Sequence, residues 1–265
     1  MLYSFKGGKQ AKHPRFPDLI SDTQGNLYGT AEFGTRTGCD TTYGCGTVFR
    51  LTPQGKRTVL NAFLGGEPSA VIMDARGSLY GTTFYDGPSG YGTVFEVSPQ
   101  GKKTVLYSFS GGRHGAFPQA GLVADAQGNL YGTTSEGGRR CVTAGCGTVF
   151  EVTPQGAETV LYAFKGRSDG AVPYARLIWD VQRNLYGTTS GGGGNSSGTV
   201  FEVTPQGTET VLYAFQGKSD GAVPYAGLIW DAQGNLYGTT SEGGNSGCNG
   251  YGCGTVFELI KSTKK

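Results

Sequence analysis

Short runs of Val, Ile, Leu, Tyr, Phe and Thr alternate along the whole chain with clusters of Gly, Pro, Asn, Asp and Gln, and no stretch keeps a helical apolar period. In the last copy of this pattern, "AGLIWDAQGNLYGTTSEGGNSGCNGYGCGTVFEL", strands are predicted over 227–231, 235–240 and 254–259. The turn "DAQGN" joins the first two. Gly234 is free to take positive φ there, and the Asp231 carboxylate can cap the turn. A glycine-rich loop leads to the third strand. In the internal copies a "TPQG" turn then brings in a fourth strand of the type "TVLYAF". "GTVFEV" alternates only partly, the pattern of a sheet covered on both faces.

The unit recurs. "NLYGT" or "SLYGT" places tyrosines at Tyr28, Tyr80, Tyr131, Tyr186 and Tyr237, and "GTVF" begins at Gly46, Gly92, Gly147, Gly198 and Gly254. A period of roughly 51 residues belongs to propellers and solenoids. Four antiparallel strands with two tight hairpins per repeat predict an all-β, five-bladed β-propeller, residues 1–265 forming one domain and 260–265 a basic tail. A β-solenoid is the runner-up; its coils are usually shorter and do not need two hairpins. Fourth strands fall at 58–63, 104–109, 159–164 and 210–215, and a fifth copy, "LYSF", sits at 2–5, while the last repeat stops after its third strand. The tally closes if residues 2–5 complete the last blade beside 254–259. That pairing would make the ring complete and remove an open sheet edge.

The pattern "P-x-A-G-L-I-x-D-A-Q-G-N-L-Y-G-T-T … G-T-V-F-E-V-T-P-Q-G" resembles the GloVer tandem repeat of bacterial choice-of-anchor proteins, over nearly the whole chain. The resemblance implies an exported protein. Many members of that family carry a C-terminal surface anchor, and here a short basic tail stands in its place. The order of motifs is also similar to NHL-type propeller repeats, as architecture only.

Composition narrows the classes of function. The 22 basic and 20 acidic residues leave a formal charge of +2 and no basic patch of the kind nucleic-acid binding needs. No apolar run approaches the roughly 18 residues of a membrane span, and the N-terminus has no signal-peptide core. The 48 glycines recur at fixed places beside Tyr, Val and Phe, which marks them as turn and close-packing residues; 15 Tyr and 14 Phe supply a core. The six cysteines form three local pairs, Cys39–Cys45, Cys141–Cys146 and Cys248–Cys253, each in the loop between second and third strands; the other two repeats lack both members. Paired presence and absence points to disulfides and an oxidising, extracellular or cell-surface location. Zinc binding and free thiols are the alternatives.

In a propeller of this strand order, the loops between second and third strands share one face with the connectors between repeats. That face varies most, so it is where binding is expected. Repeats four and five share "SDGAVPYA-LIWD", with Arg176 where the fifth has Gly227. Asp169 and Asp220 would there present acids, and Tyr174 and Tyr225 aromatic faces, a start for a sugar site. Arg176, Phe16 and Gln119 from the connectors join them as candidate ligand-binding residues. The competing reading has the carboxylates capping turns and the rings packing between blades. Trp179 and Trp230 read as interblade core, and the set Asp22, Asp74, Asp125, Asp180 and Asp231 as turn caps rather than a cation ring. No nucleophile, metal or phosphate-loop motif appears around His13 or His114, so no catalytic residue and no cofactor are assigned. Asp18, Glu67 and Asp86 are acids that break the five-fold pattern; Arg139 and Arg140 are likewise unmatched. Three functions follow in order: a non-catalytic extracellular module binding carbohydrate, a structural or adhesive surface protein acting by protein contacts, and a glycan-active enzyme using the central funnel.

Overall fold

The structure, a computed structural model, describes residues 1–5, 14, 19–34, 45–138, 145–245 and 248–260. It is all-β, with two single 3-10 turns at Gly112–His114 and Cys248–Gly250. The first sheet runs β1 (Ile20–Ser21), β2 (Leu27–Gly34), β3 (Cys45–Leu51), β4 (Arg57–Ala62). The second is β5 (Ile72–Met73), β6 (Leu79–Thr83), β7 (Thr93–Val97), β8 (Lys103–Ser108). The third is β9 (Val123–Ala124), β10 (Leu130–Thr134), β11 (Thr148–Val152), β12 (Glu158–Ala163). The fourth is β13 (Ile178–Trp179), β14 (Leu185–Thr189), β15 (Thr199–Val203), β16 (Glu209–Ala214), and the fifth is β17 (Ile229–Trp230), β18 (Leu236–Thr240), β19 (Thr255–Leu259). Five antiparallel sheets in strict sequence order match a five-bladed propeller.

Two details differ from expectation. First strands shrink to two residues each, because the aspartate turn takes over immediately after them. The fifth sheet holds three strands and ends at β19, and residues 1–5 carry no strand. Those residues lie against the first sheet. Tyr3 and Phe5 pack on the cluster of Ala31, Phe49 and Leu51.

The recurrent motifs have definite work. Asp22 Oδ1 accepts from the backbone N–H of Gln24 and of Asn26, each at 2.9 Å. Its Oδ2 accepts from the Asn26 amide at 2.8 Å and the Tyr28 hydroxyl at 3.0 Å. Asp180 and Asp231 repeat all four bonds, so the aspartates cap turns as the sequence indicates. The glycine of "LYGT" leaves room for the phenylalanine of "GTVF": a Cβ on Gly187 would lie 2.6 Å from Phe201 Cζ. Phe95 and Phe201 are fully buried and meet Phe63 and Phe164, the rings that directly follow β4 and β12, at 4.6 and 5.0 Å. The two motifs also share a threonine pair, buried in Thr83–Thr93 and Thr189–Thr199 at 2.8 Å and half-buried in Thr240–Thr255 at 2.9 Å. In the first sheet Ala31 stands opposite Thr47, and the buried Thr47 Oγ1 is left without a partner.

By its contacts the chain divides into two compact units. One is Met1–Ser110 with Phe117–Leu130 and Val152–Glu158; the other is Gly111–Ala116 with Tyr131–Glu151 and Thr159–Lys265.

Candidate functional site

The loops between second and third strands do meet the connectors. In the first unit Phe84 N–H donates to Glu67 O at 2.9 Å; in the second, Ser190 N–H donates to Val172 O and Ser241 N–H to Val223 O, both at 3.1 Å. Short backbone bridges therefore hold these loops beside their own connectors, on a rigid sheet end.

The second unit carries most of the residues expected there. Asp169 is only 4% exposed. Its carboxylate accepts from the Tyr162 hydroxyl at 2.6 Å and from the N–H groups of Lys165 and Gly166 at 3.0 and 3.1 Å. Asp220 accepts from the Tyr213 hydroxyl at 2.9 Å and Gln216 N–H at 2.8 Å. Both acids thus tie the connector to the tyrosine of the preceding fourth strand. The aromatic partners come together: the Tyr174 and Tyr225 rings are 5.4 Å apart at 44°, and Tyr225 is 54% exposed. Arg176 is exposed next to them in sequence, and its carbonyl lies 3.4 Å from where a Gly227 Cβ would be. Gln119, in the first unit, is half-buried. Phe16, Asp18, His13, Arg139 and Arg140 lie outside the described residues.

Cys248 and Cys253 form a disulfide with a Cα–Cα distance of 5.3 Å. Cys146 is disulfide-bonded too; Cys141 and Cys39, and with Cys39 the pairing expected of Cys45, lie outside the described residues. Among the described residues no group of three or more His, Cys, Asp or Glu side chains could hold a metal ion. The irregular acid Asp86 is paired with Lys103 Nζ at 2.7 Å.

One acid has an unusual setting. Glu209 sits near Tyr162, whose hydroxyl proton goes to Asp169. Burial, then the Asp169 charge, pushes the Glu209 carboxyl up to about 7, against the opposing pull of the Tyr162 hydrogen bond and the Lys165 charge. Since the folded value lies above the unfolded 4.5, the fold holds the Glu209 proton more tightly than the open chain. The penalty is absent below about 4.5 and grows as pH rises to 7, where ionised Glu209 opposes folding. Glu209→Gln is therefore expected to melt above the parent at pH 8 and level with it near pH 4. A pH-independent difference would refute the assignment.

The sequence reading passed over a cluster in the first unit. Phe84 and Tyr85, their centroids 4.4 Å apart, both face Phe117, at 5.0 and 5.6 Å; Tyr91 joins at 5.5 Å and is 38% exposed. Phe117 is held at φ +58°, and its N–H donates to Tyr91 O at 2.9 Å. A non-glycine residue in the left-handed region marks a constrained position. The available signal was the loop "FYDGPSGY", which has aromatic residues where the later repeats have Ser with Glu or Gly.

Comparison with known proteins agrees with the fold. The sequence matches the Gloeobacter/Verrucomicrobia repeat over residues 1–180 and 142–265. No curated protein matches it. Among solved structures it is similar to a Dyadobacter fermentans protein of unknown function, at 11% identity, covering 95% of this chain and 83% of that one, with a TM-score of 0.54. It is similar also to a puromycin-hydrolysing peptidase of Mycobacterium tuberculosis (13%, 91% and 36%, 0.51). A third is the extracellular domain of a hybrid two-component system of B. thetaiotaomicron (12%, 91% and 33%, 0.50). The chain spans about a third of the latter two, and identities this low speak for the fold alone.

Proposed function

We propose that this chain, which belongs to the Gloeobacter/Verrucomicrobia repeat family, is a non-catalytic binding module that works outside the cell and takes carbohydrate on aromatic rings at the loop end of its sheets. The observation that carries this reading is the cluster of Phe84, Tyr85, Tyr91 and Phe117, three rings gathered around that of Phe117 on a loop and connector that rigid strands hold in place. Such faces stack on the C–H faces of sugar rings and lose little conformational freedom in doing so. Tyr174 with Tyr225 offers a second, smaller platform in the other unit. Repetition of weak sites favours polymeric ligands, where avidity multiplies modest affinities.

Export is supported by the disulfide chemistry, since such bonds persist in oxidising compartments. The similarity to the extracellular domain of a two-component system is in keeping with that. No helix is long and apolar enough to cross a membrane among the described residues.

A glycan array followed by calorimetry on the full chain tests the reading. A bound glycan is expected, with Tyr91→Ala and Tyr225→Ala each weakening it roughly tenfold, about 1.4 kcal/mol. A folded sample that binds no glycan, or binding indifferent to both substitutions, would refute it.

A further inference from the structure

At the opposite end of the sheets, within the first unit, the aspartate turns of the second and third repeats border a cavity of about 620 Å³. Its origin lies in one repeat position, the last residue of each first strand: Ser21, Met73, Ala124, Trp179 and Trp230. In the second unit each indole covers the second-strand tyrosine of the preceding repeat. Trp179 meets Tyr131 at 5.3 Å; Trp230 meets Tyr186 at 4.9 Å and donates its indole N–H to the Trp179 carbonyl at 3.2 Å. Between the first two repeats Met73 takes that place, packed with Tyr28 on the same cluster. The tyrosine of the second repeat is Tyr80, and the residue due to cover it is Ala124. Both line the cavity. An indole at this position would fill part of the space, and this repeat lacks one.

Its lining is chemically selective. Ile72, Met73, Leu106 and Pro154 supply apolar wall, and Asp74, Glu96 and Asp125 supply carboxylates against one cation, Arg76. Asp74 is the turn aspartate with a spare acceptor. In the other four repeats Oδ2 takes an asparagine amide, from Asn26, Asn129, Asn184 or Asn235 at 2.8 to 3.1 Å. Here Ser78 replaces the asparagine, and Oδ2 has a single long bond from Tyr80 at 3.3 Å. An acceptor-rich, acidic wall rejects anions, and a ligand without donors would leave its carboxylates desolvated and unpaired.

We infer that this cavity is a binding site for one six-membered ring bearing hydroxyl and amino donors, a hexosamine unit. It lies apart from the loop-end rings and does not depend on them. The cavity is of the size usual for small-ligand sites. A ligand of about a dozen heavy atoms reaches roughly millimolar affinity.

Calorimetric or NMR titration of the full chain with glucosamine, glucose and glucuronate tests the inference. Glucosamine is expected to saturate one site in the millimolar range, glucose to bind several-fold more weakly, and glucuronate not at all. Ala124→Trp, which copies repeats four and five, is expected to abolish glucosamine binding while melting no lower than the parent. Asp74→Asn is expected to weaken glucosamine at least tenfold, and it decides the matter alone if the tryptophan variant does not fold. Tyr91→Ala leaves this titration unchanged while impairing the loop-end site, so the two readings fail separately. No saturable glucosamine binding, equal binding of glucuronate, or binding that survives both cavity substitutions would overturn it.

Discussion

Gly198→Ala is expected to lower the melting temperature by roughly 10 °C, at about 2–4 °C for each kcal/mol in a domain of this size. Gly198 opens the fourth copy of "GTVF" at φ +92°. A Cβ there would collide with the Thr189 carbonyl oxygen and lie 2.7 Å from Pro224 Cδ. The residue cannot shift away cheaply. Its N–H donates to Gly192 O at 3.1 Å, and its carbonyl accepts from Phe215 N–H at 3.0 Å. Left-handed strain alone costs about 1–3 kcal/mol for a side-chain-bearing residue, and the backbone clash adds to it. Gly194→Ala is the control: it lies in the same loop, at ordinary φ, with no atom within 4 Å of its would-be Cβ. Thermal unfolding followed by circular dichroism separates the two. Equal melting of both variants would show that the motif glycine has no steric role.

That glycine shows why so much of the fold was legible. Each motif answers a local steric or hydrogen-bonding demand, and the demand recurs with every repeat. Gly187 clears space for Phe201, Thr189 pairs with Thr199, and Asp180 caps its turn through Gln182 and Asn184. Local demands leave sequence periodicity behind them. Asp169 and Asp220 were harder to read, since a carboxylate before glycine fits a turn and a ligand equally well. Only the Tyr162 and Tyr213 hydroxyls, contributed by a strand several residues upstream, show where those charges are spent. The cavity was illegible for a different reason. Ala124, where the fourth and fifth repeats have tryptophan, is visible when the repeats are set side by side, but its meaning depends on which ring of the preceding repeat it fails to cover. The four-ring cluster likewise needs Phe117, some 25 residues beyond "FYDGPSGY" and held at positive φ, to become one surface.

Removal of residues 1–5 is expected to be the other heavily destabilising change, by about 3 kcal/mol, comparable with losing a large core side chain. The segment stands to the first sheet as β4 stands to the second. A Cβ on Gly55 would meet the Leu2 carbonyl oxygen at 2.5 Å, and one on Gly101 would meet the Leu60 carbonyl oxygen at 2.6 Å. Gly207 repeats the contact with Leu161 at 2.5 Å in the second unit. Residues 1–5 therefore fill a fourth-strand place against their neighbouring sheet even without a ladder of their own. The contacts are substantial: Phe5 lies 5.5 Å from Phe49, and Tyr3 lies 5.1 Å from Phe5. The Arg57 guanidinium sits 5.4 Å from the Phe5 ring centre and 5.8 Å from that of Tyr3. Deletion would bare Phe49, now 3% exposed, and leave Arg57 with the Phe49 ring but without those of Tyr3 and Phe5. Tyr3→Ala with Phe5→Ala should reproduce most of the loss, whereas Ser4→Ala, which keeps both rings, should reproduce almost none. Urea unfolding of the three variants decides it. A deletion variant with the parental midpoint would mean that the packing of the first five residues on the first sheet does not stabilise it.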